Sequence, residues 1–452
     1  SVKVVVRDAY TGALVREARA PHPEGTEVDP RAWWSALESI LPQALDGVSA
    51  ISVAGQQHGM VAMDSQKEVV RDAMLWNDTR SAQAAENLVQ ELGGPSAWST
   101  AVGSVPVAAF TVSKLKWMAQ HEPENAKRTD SVLLPHDYLT WLLAGKPTDP
   151  TTDRGDASGT GYWSPISGEY RTDLVELAIG HTLSLPRVAG PSEIVGTAIG
   201  IGRPDIVIGP GTGDNMGAAL ALGVQPGDVV VSLGTSGTAF AGSSTPTQDS
   251  TGFVAGFADA TGHFLPLVCT LNAARILTAT AAMLNVDFDE FARLALTAAP
   301  GSGGLSFIPY LDGERTPNLP DAQGSLHGMT RTNMTPGNLA RSAIEGMFGG
   351  LADAVDALTR AGAPVSRVML IGGAAANPAV GEVAATMFSA PVEVPPAGEY
   401  VADGAARQAA WVLTGELPNW TDSGSGSTRY FEPEYHGEIR ENFRGAWERM
   451  YG

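Results

Sequence analysis

The chain has 452 residues, too many for one ordinary hydrophobic core, so two domains are expected. Hydrophobic residues make up 43% and charged residues 17%, which excludes a disordered chain. A formal net charge of -20 sets the surface against nucleic-acid backbones and anionic lipid, so neither nucleic acid nor membrane is an expected partner.

Val2 to Val6 reads as a strand, Asp8 to Gly12 as a turn, and Ala13 to Ala18 as the returning strand of a hairpin. The opening residues have no basic-then-apolar leader pattern. Asp29 is placed to cap a helix that has Pro30 at its first position. Ala50 to Ala54 reads as a buried strand ending in Gly55-Gln-Gln-His-Gly59, and Gly59 to Asp64 as another. Asp78 is expected to cap a helix over Arg80 to Leu92, and further helices are expected over Thr111 to Gln120 and Asp137 to Ala144. The first part is thus a mixed sheet with helices.

The style repeats from Asp205 to Ile208 onward. A small-residue helix spans Asn215 to Gly223, and apolar strands enter glycine turns at Ser232–Thr238 and at Gly372-Gly373. The single cysteine, Cys269, lies in an apolar run, where a buried structural thiol is expected. One cysteine forms no intrachain disulfide, which fits a reducing cytoplasm. Ala-rich helices are expected over Leu339 to Arg360 and Asp403 to Thr414, a mobile surface loop over Ser423 to Ser427, and a helix-like order from Tyr430 to Met450. No stretch approaches about 18 uninterrupted apolar residues, the length a membrane helix needs.

Five places carry chemistry. Asp214 opens the small-residue helix. It reads either as an N-cap or as a general base with one free oxygen for a substrate hydroxyl. In Ser232–Thr238, Gly234 and Gly237 allow close backbone approach to phosphate while Thr235 and Ser236 offer hydroxyls. The same stretch also suits a ligand-free hairpin, and it lacks the Gly-Lys-(Ser/Thr) of a P-loop. Gly372 and Gly373, followed by Asn377, suit either a tight strand-to-helix turn or a seat for an adenosine group. Gln57 and His58, with Trp76, Asn77, Asp78 and Arg80, supply mixed donors and acceptors beside an apolar wall. That set suits a polyol or sugar, although His58 and Asp78 also suit purely structural roles. Glu314 and Arg315 are expected to pair within a packed loop.

In order, Ala54-Gly-Gln-Gln-His-Gly59, Leu75-Trp-Asn-Asp-Thr-Arg80, Leu133-Leu-Pro-His-Asp-Tyr-Leu139, Gly213-Asp-Asn215, Ser232-Leu-Gly-Thr-Ser-Gly237, Tyr310-Leu-Asp-Gly-Glu-Arg-Thr-Pro317 and Leu370-Ile-Gly-Gly373 resemble the FGGY family of carbohydrate kinases over essentially the whole chain. The resemblance implies an α/β fold of two ribonuclease-H-like, actin-like ATPase domains with an interdomain active-site cleft. It divides the chain into a sugar-binding side, 1–224, and an ATP-binding side, 225–452. It implies ATP with Mg²⁺ and transfer of the γ-phosphoryl group to a primary hydroxyl of a ketopentose, O5 of D-xylulose. The alternatives it leaves are a kinase of ribulose, gluconate or a sugar alcohol, or a non-catalytic relative that binds sugar or nucleotide.

Under the resemblance Asp214 is the catalytic base and reaches the metal through water. Gln57, His58, Asp214 and Asn215 face the sugar, with Trp76, Asn77, Asp78 and Arg80 nearby. Gly234, Thr235, Ser236 and Gly237 form an ATP phosphate loop, and Gly372, Gly373 and Asn377 the adenosine site. Relatives are often dimers, so a homodimer is expected. Family members carry Asp-x-Gly-Thr-(Ser/Thr) in a first hairpin. Ser1-Val-Lys3 aligns with the end of that motif, and the remainder is expected upstream of Ser1.

Overall fold

A computed structural model describes residues 1–420 and 426–452. The expected loop over Ser423 to Ser427 falls for the most part outside the described residues. The chain divides into two compact units. One comprises Ser1–Val224, Ser244–Leu265 and Gly398–Gly424; the other comprises Gln225–Ser243, Pro266–Ala397 and Ser425–Gly452.

The first unit opens with the expected hairpin, Val2–Arg7 against Leu14–Ala20, antiparallel from Val2↔Ala20 to Val6↔Arg16. Asp29 caps the helix Pro30–Ala44 by accepting the Arg31 N–H at 3.0 Å. That helix buries Leu37 and Leu41 against Ile206, Ile208 and Leu143. The stretch expected as one buried strand is instead two short, half-buried ones, Ala50–Ile51 and Ala54–Gly55. Both run parallel to later chain, pairing Val207↔Ala50, Ile208↔Ile51, Thr212↔Ala54 and Gly213↔Gly55. Between them the partner strand carries one residue more, Ile208 to Thr212 against Ile51 to Ala54, and its Pro210 has no N–H to give to the ladder.

Asp78 does not cap a helix. Its carboxylate accepts the Arg80 N–H at 3.0 Å within a turn, and the helix that follows is Ala82–Glu91, with Ser81 at its N-cap. Helices Thr111–His121 and Pro135–Leu143 agree with expectation to within two residues.

In the second unit, strand Asp228–Leu233 is central. It pairs antiparallel with Gly237–Ala241 and parallel with Arg367–Ile371, which in turn pairs parallel with Val392–Val394. The 25-residue helix Pro336–Arg360 packs on this sheet with Ile344, Met347, Phe348 and Leu351 fully buried. The tail holds a strand, Arg429–Phe431, and a helix, Gly437–Tyr451. Cys269 is half-buried in strand Phe264–Thr270 rather than buried. No described helix is long and apolar enough to cross a membrane.

Candidate active site

Asp214 is the first residue of helix Asp214–Leu222, and the N-cap is Gly213. The carboxylate therefore does not cap the helix end as an N-cap would. Its Oδ1 accepts the Asn215 N–H at 2.8 Å and the Asn215 amide at 3.0 Å. Burial pushes the carboxyl up to about 6, against the Asn215 N–H and amide, which hold it down. The Asn215 amide also donates to the Gln57 carbonyl oxygen at 3.0 Å. Gln57, Asn215 and Asp214 are thereby one connected group, brought together by the parallel pairing of Thr212–Gly213 with Ala54–Gly55. Asp214 and Gln56 line a cavity of about 780 Å³, together with strand Val2–Arg7 and helix Tyr400–Thr414.

His58 is buried beside Gln57, with its Nδ1 2.6 Å from the Gly159 carbonyl. A carbonyl only accepts, so Nδ1 carries a proton. Phe110 stacks on the ring at a centroid distance of 4.8 Å, and Phe257 tilts against it at 5.6 Å. The second cluster expected near the sugar is engaged differently. Arg80 pairs with Asp78 at 2.9 Å and Glu27 at 2.7 Å, and lies over the Trp117 ring. The Asn77 amide reaches the Gly25 carbonyl at 3.3 Å, and Trp76 is partly exposed. The link to His58 runs through the next loop, where the Ser81 hydroxyl donates to the Ala108 carbonyl two residues before Phe110.

Beneath this group lies a buried cluster that sequence reasoning did not single out. His136 Nε2 is 3.3 Å from Asp137, 3.2 Å from Asp153 and 3.3 Å from Asp156. The Thr212 hydroxyl donates to Asp153 at 3.2 Å, which ties the cluster to the strand that leads into Asp214. Pro135-His-Asp137 stood in a recognised segment, but a helical His-Asp pair gives no local sign of meeting carboxylates from the next helix.

In the second unit, Ser232 pairs with Ile371, so the Gly234-Thr-Ser236 turn and the Gly372-Gly373 turn leave the same ends of adjacent parallel strands. Carboxyl ends of parallel strands are where α/β sheets take ligands. Gly234 and Thr235 are exposed, Ser236 is half-buried, and Gly237 is buried at the strand start. Gly372 has φ +91°, and a Cβ there would sit 2.7 Å from the Leu233 carbonyl, so only glycine lets the two turns lie this close. Asn377 caps helix Pro378–Met387, accepting the Ala379 N–H at 3.0 Å.

Arg275, which sequence reasoning missed, reaches the Thr235 carbonyl at 3.4 Å and pairs with Asp312. It brings a cation to the loop. The expected Glu314–Arg315 ion pair does not form. Glu314 is buried, and its carboxylate accepts the Leu271 and Arg315 backbone N–H groups and the Asn272 amide.

Among the described residues, no group of three or more His, Cys, Asp or Glu side chains is arranged to hold a metal ion. Mg²⁺ is commonly held by one or two carboxylates plus substrate phosphates rather than by a protein cage. Asp214 supplies a hard oxygen of that kind.

Comparison with known proteins decides the family. Residues 3–221 match the N-terminal domain of the FGGY family of carbohydrate kinases, and residues 229–413 match its C-terminal domain. The chain belongs to the FGGY family of carbohydrate kinases. Among its FGGY relatives, a xylulose kinase of Streptomyces coelicolor is 46% identical over 428 residues, covering 92% of this chain and 86% of that protein. A xylulose kinase of Streptomyces rubiginosus is 45% identical over 434 residues, covering 92% and 87%. The crystal structure of a xylulose kinase from Bifidobacterium adolescentis superposes with a TM-score of 0.88 at 42% identity, covering 99% of this chain and all of that one. The fold is thus the two-domain, actin-like α/β fold of FGGY kinases, and the chain is a carbohydrate kinase that uses ATP.

Proposed function

We propose that this kinase phosphorylates D-xylulose at O5, with Asp214 as general base. The observation that carries the reading is the connected group Asp214–Asn215–Gln57 beside His58, where a carboxylate with a raised pKa stands among groups suited to sugar hydroxyls. The xylulose kinases of Streptomyces and Bifidobacterium, matched nearly end to end, support the choice of sugar.

The sugar binds in the first unit. Gln57 and Asn215 offer amides, and the His58 imidazole stands beside them. ATP binds in the second unit, its phosphates on the Gly234–Gly237 turn and its adenosine at Gly372, Gly373 and Asn377. Asp214, ionised above pH 6, accepts the O5 proton as the O–P bond forms and the bond to ADP breaks. Asp214 would be the protein group that holds Mg²⁺ beside the phosphates, where the ion would supply charge neutralisation.

The test is Asp214→Asn in an ATP-consumption assay with D-xylulose, ribulose, gluconate and sugar alcohols. Turnover on D-xylulose should fall by ~10²–10⁴-fold while sugar binding persists. For the wild-type chain, kcat/KM should fall below about pH 6, as Asp214 takes up its proton. Near-normal turnover in the variant removes Asp214 from the role, and a clear preference for another sugar replaces xylulose.

A further inference from the structure

Lys114 is fully buried, with none of its surface accessible. Lysine is almost never buried unless its ammonium is satisfied, because desolvating a charge is costly. Here it serves two backbone carbonyls, those of His58 at 2.8 Å and Ala109 at 2.5 Å. Thr111, one turn earlier on the same helix, donates its hydroxyl to the same His58 carbonyl at 3.2 Å. Two side chains of one helix therefore converge on a single carbonyl oxygen.

That carbonyl belongs to a strained residue. His58 has φ +67°, the left-handed region that side chains other than glycine seldom enter. Glycine would relieve the strain but would remove the imidazole. The ring itself is held by the Gly159 carbonyl and packs against both Phe110 and Phe257. His58 is thus fixed at the ring and at the carbonyl, by different elements.

We infer that Lys114 is a positioning residue for the sugar site, holding the His58 carbonyl so that the left-handed turn presents Gln57 and the His58 ring to the sugar. The inference rests on the reading of Gln57 and His58 as sugar contacts. Lys114 itself touches no substrate. It acts through the backbone, and its loss should appear in sugar binding rather than in ATP binding or in the proton transfer at Asp214. Thr111 shares the task as the weaker, neutral donor.

The test uses the full chain with Lys114→Met, Thr111→Val, His58→Ala and the His58→Ala/Lys114→Met double variant. Steady-state kinetics give separate KM values for D-xylulose and ATP, and titration with D-xylulose alone gives direct binding. Lys114→Met should raise the KM and the dissociation constant for D-xylulose about tenfold or more, as expected for losing a hydrogen bond from a charged group. The ATP KM and kcat should stay within about twofold, and Thr111→Val should give a smaller rise of the same kind. In the His58→Ala background, Lys114→Met should add little, since both changes then act on one contact.

An unchanged xylulose KM in Lys114→Met, or equal losses for both substrates, overturns the inference. If Lys114→Met does not fold, Thr111→Val decides by the same two measurements. If His58→Ala leaves xylulose binding unchanged, the sugar-site reading itself falls and the inference with it. If His58→Ala weakens binding while Lys114→Met and Thr111→Val do not, the reading stands and the inference alone fails.

Discussion

His136 illustrates what a single residue carries. Burial works against its charge, yet Asp137, Asp153 and Asp156 outweigh burial and lift it to about 9. Because this lies above its ordinary value of 6.5, the imidazolium contributes stability that is whole below about pH 6.5 and is lost as pH rises through 9. Asp137, raised by burial to about 6, shifts in the same sense at lower pH, since its protonated form is favoured in the folded chain. Asp156 is raised well above the usual carboxylate range, with burial the largest cause. The melting temperature of the wild-type chain should therefore fall between pH 7 and 10. His136→Asn should flatten that fall, and at pH 7 should cost ~3–5 kcal/mol, the usual price of unpairing a buried charge. A pH series of thermal melts checks both; an unflattened slope removes His136 from the role. The place of Asp214 at the head of a small-residue helix was legible, and the resemblance singled it out as the base. His136 was not, because two of its three carboxylates, Asp153 and Asp156, come from a different part of the chain.

At the scale of elements, helix Tyr400–Thr414 lies against helix Asp214–Leu222 at a contact with no room for side chains. A Cβ on Gly404 would sit 1.9 Å from the Gly217 carbonyl, which is backbone and cannot swing aside. Gly404→Ala must push the helices apart, and such overpacking costs ~1–3 kcal/mol. The displaced helix begins with Asp214, so kcat should fall along with stability. Urea unfolding and steady-state kinetics on one preparation measure the two; a fully stable, fully active Gly404→Ala would show that the contact is not limiting. Both helices were legible from their runs of alanine and other small residues, and so were the strand-to-glycine turns at Gly234 and Gly372. Their contact was not, because glycines separated by most of the second unit carry no mutual signal. The split of the 50–54 stretch was hidden for the same reason, since it depends on the Gly209-Pro210-Gly211 stretch of a partner strand far along the chain. The shift of the helix start from Arg80 to Ala82 has a local cause: Asp78 spends its carboxylate on Arg80 rather than on the next helical N–H groups.

At the scale of the whole molecule, length alone indicated two bodies, and glycine turns after apolar strands in both halves agreed. The interleaving of the chain was not legible. Residues 244–265 and 398–424 return to the first unit after the chain has entered the second, and nothing local in their composition distinguishes them from their neighbours. Their contribution is specific. Phe257 flanks His58, Asp259 pairs with Arg154 at 3.4 Å, and Asp403 takes the Arg7 guanidinium at 2.6 Å. A fragment ending at Val224 has none of these, and it uncovers the face of the Asp214 helix that Gly404 covers. The buried ring and backbone contacts around His58 would then meet water on one side, and the first unit would lose part of its core. Such a fragment should show no cooperative thermal transition and should not bind D-xylulose, whereas the full chain should do both. Calorimetry and sugar titration of the two proteins side by side settle the matter, and a fragment that melts cooperatively and binds the sugar would show that the returning segments are dispensable to the site.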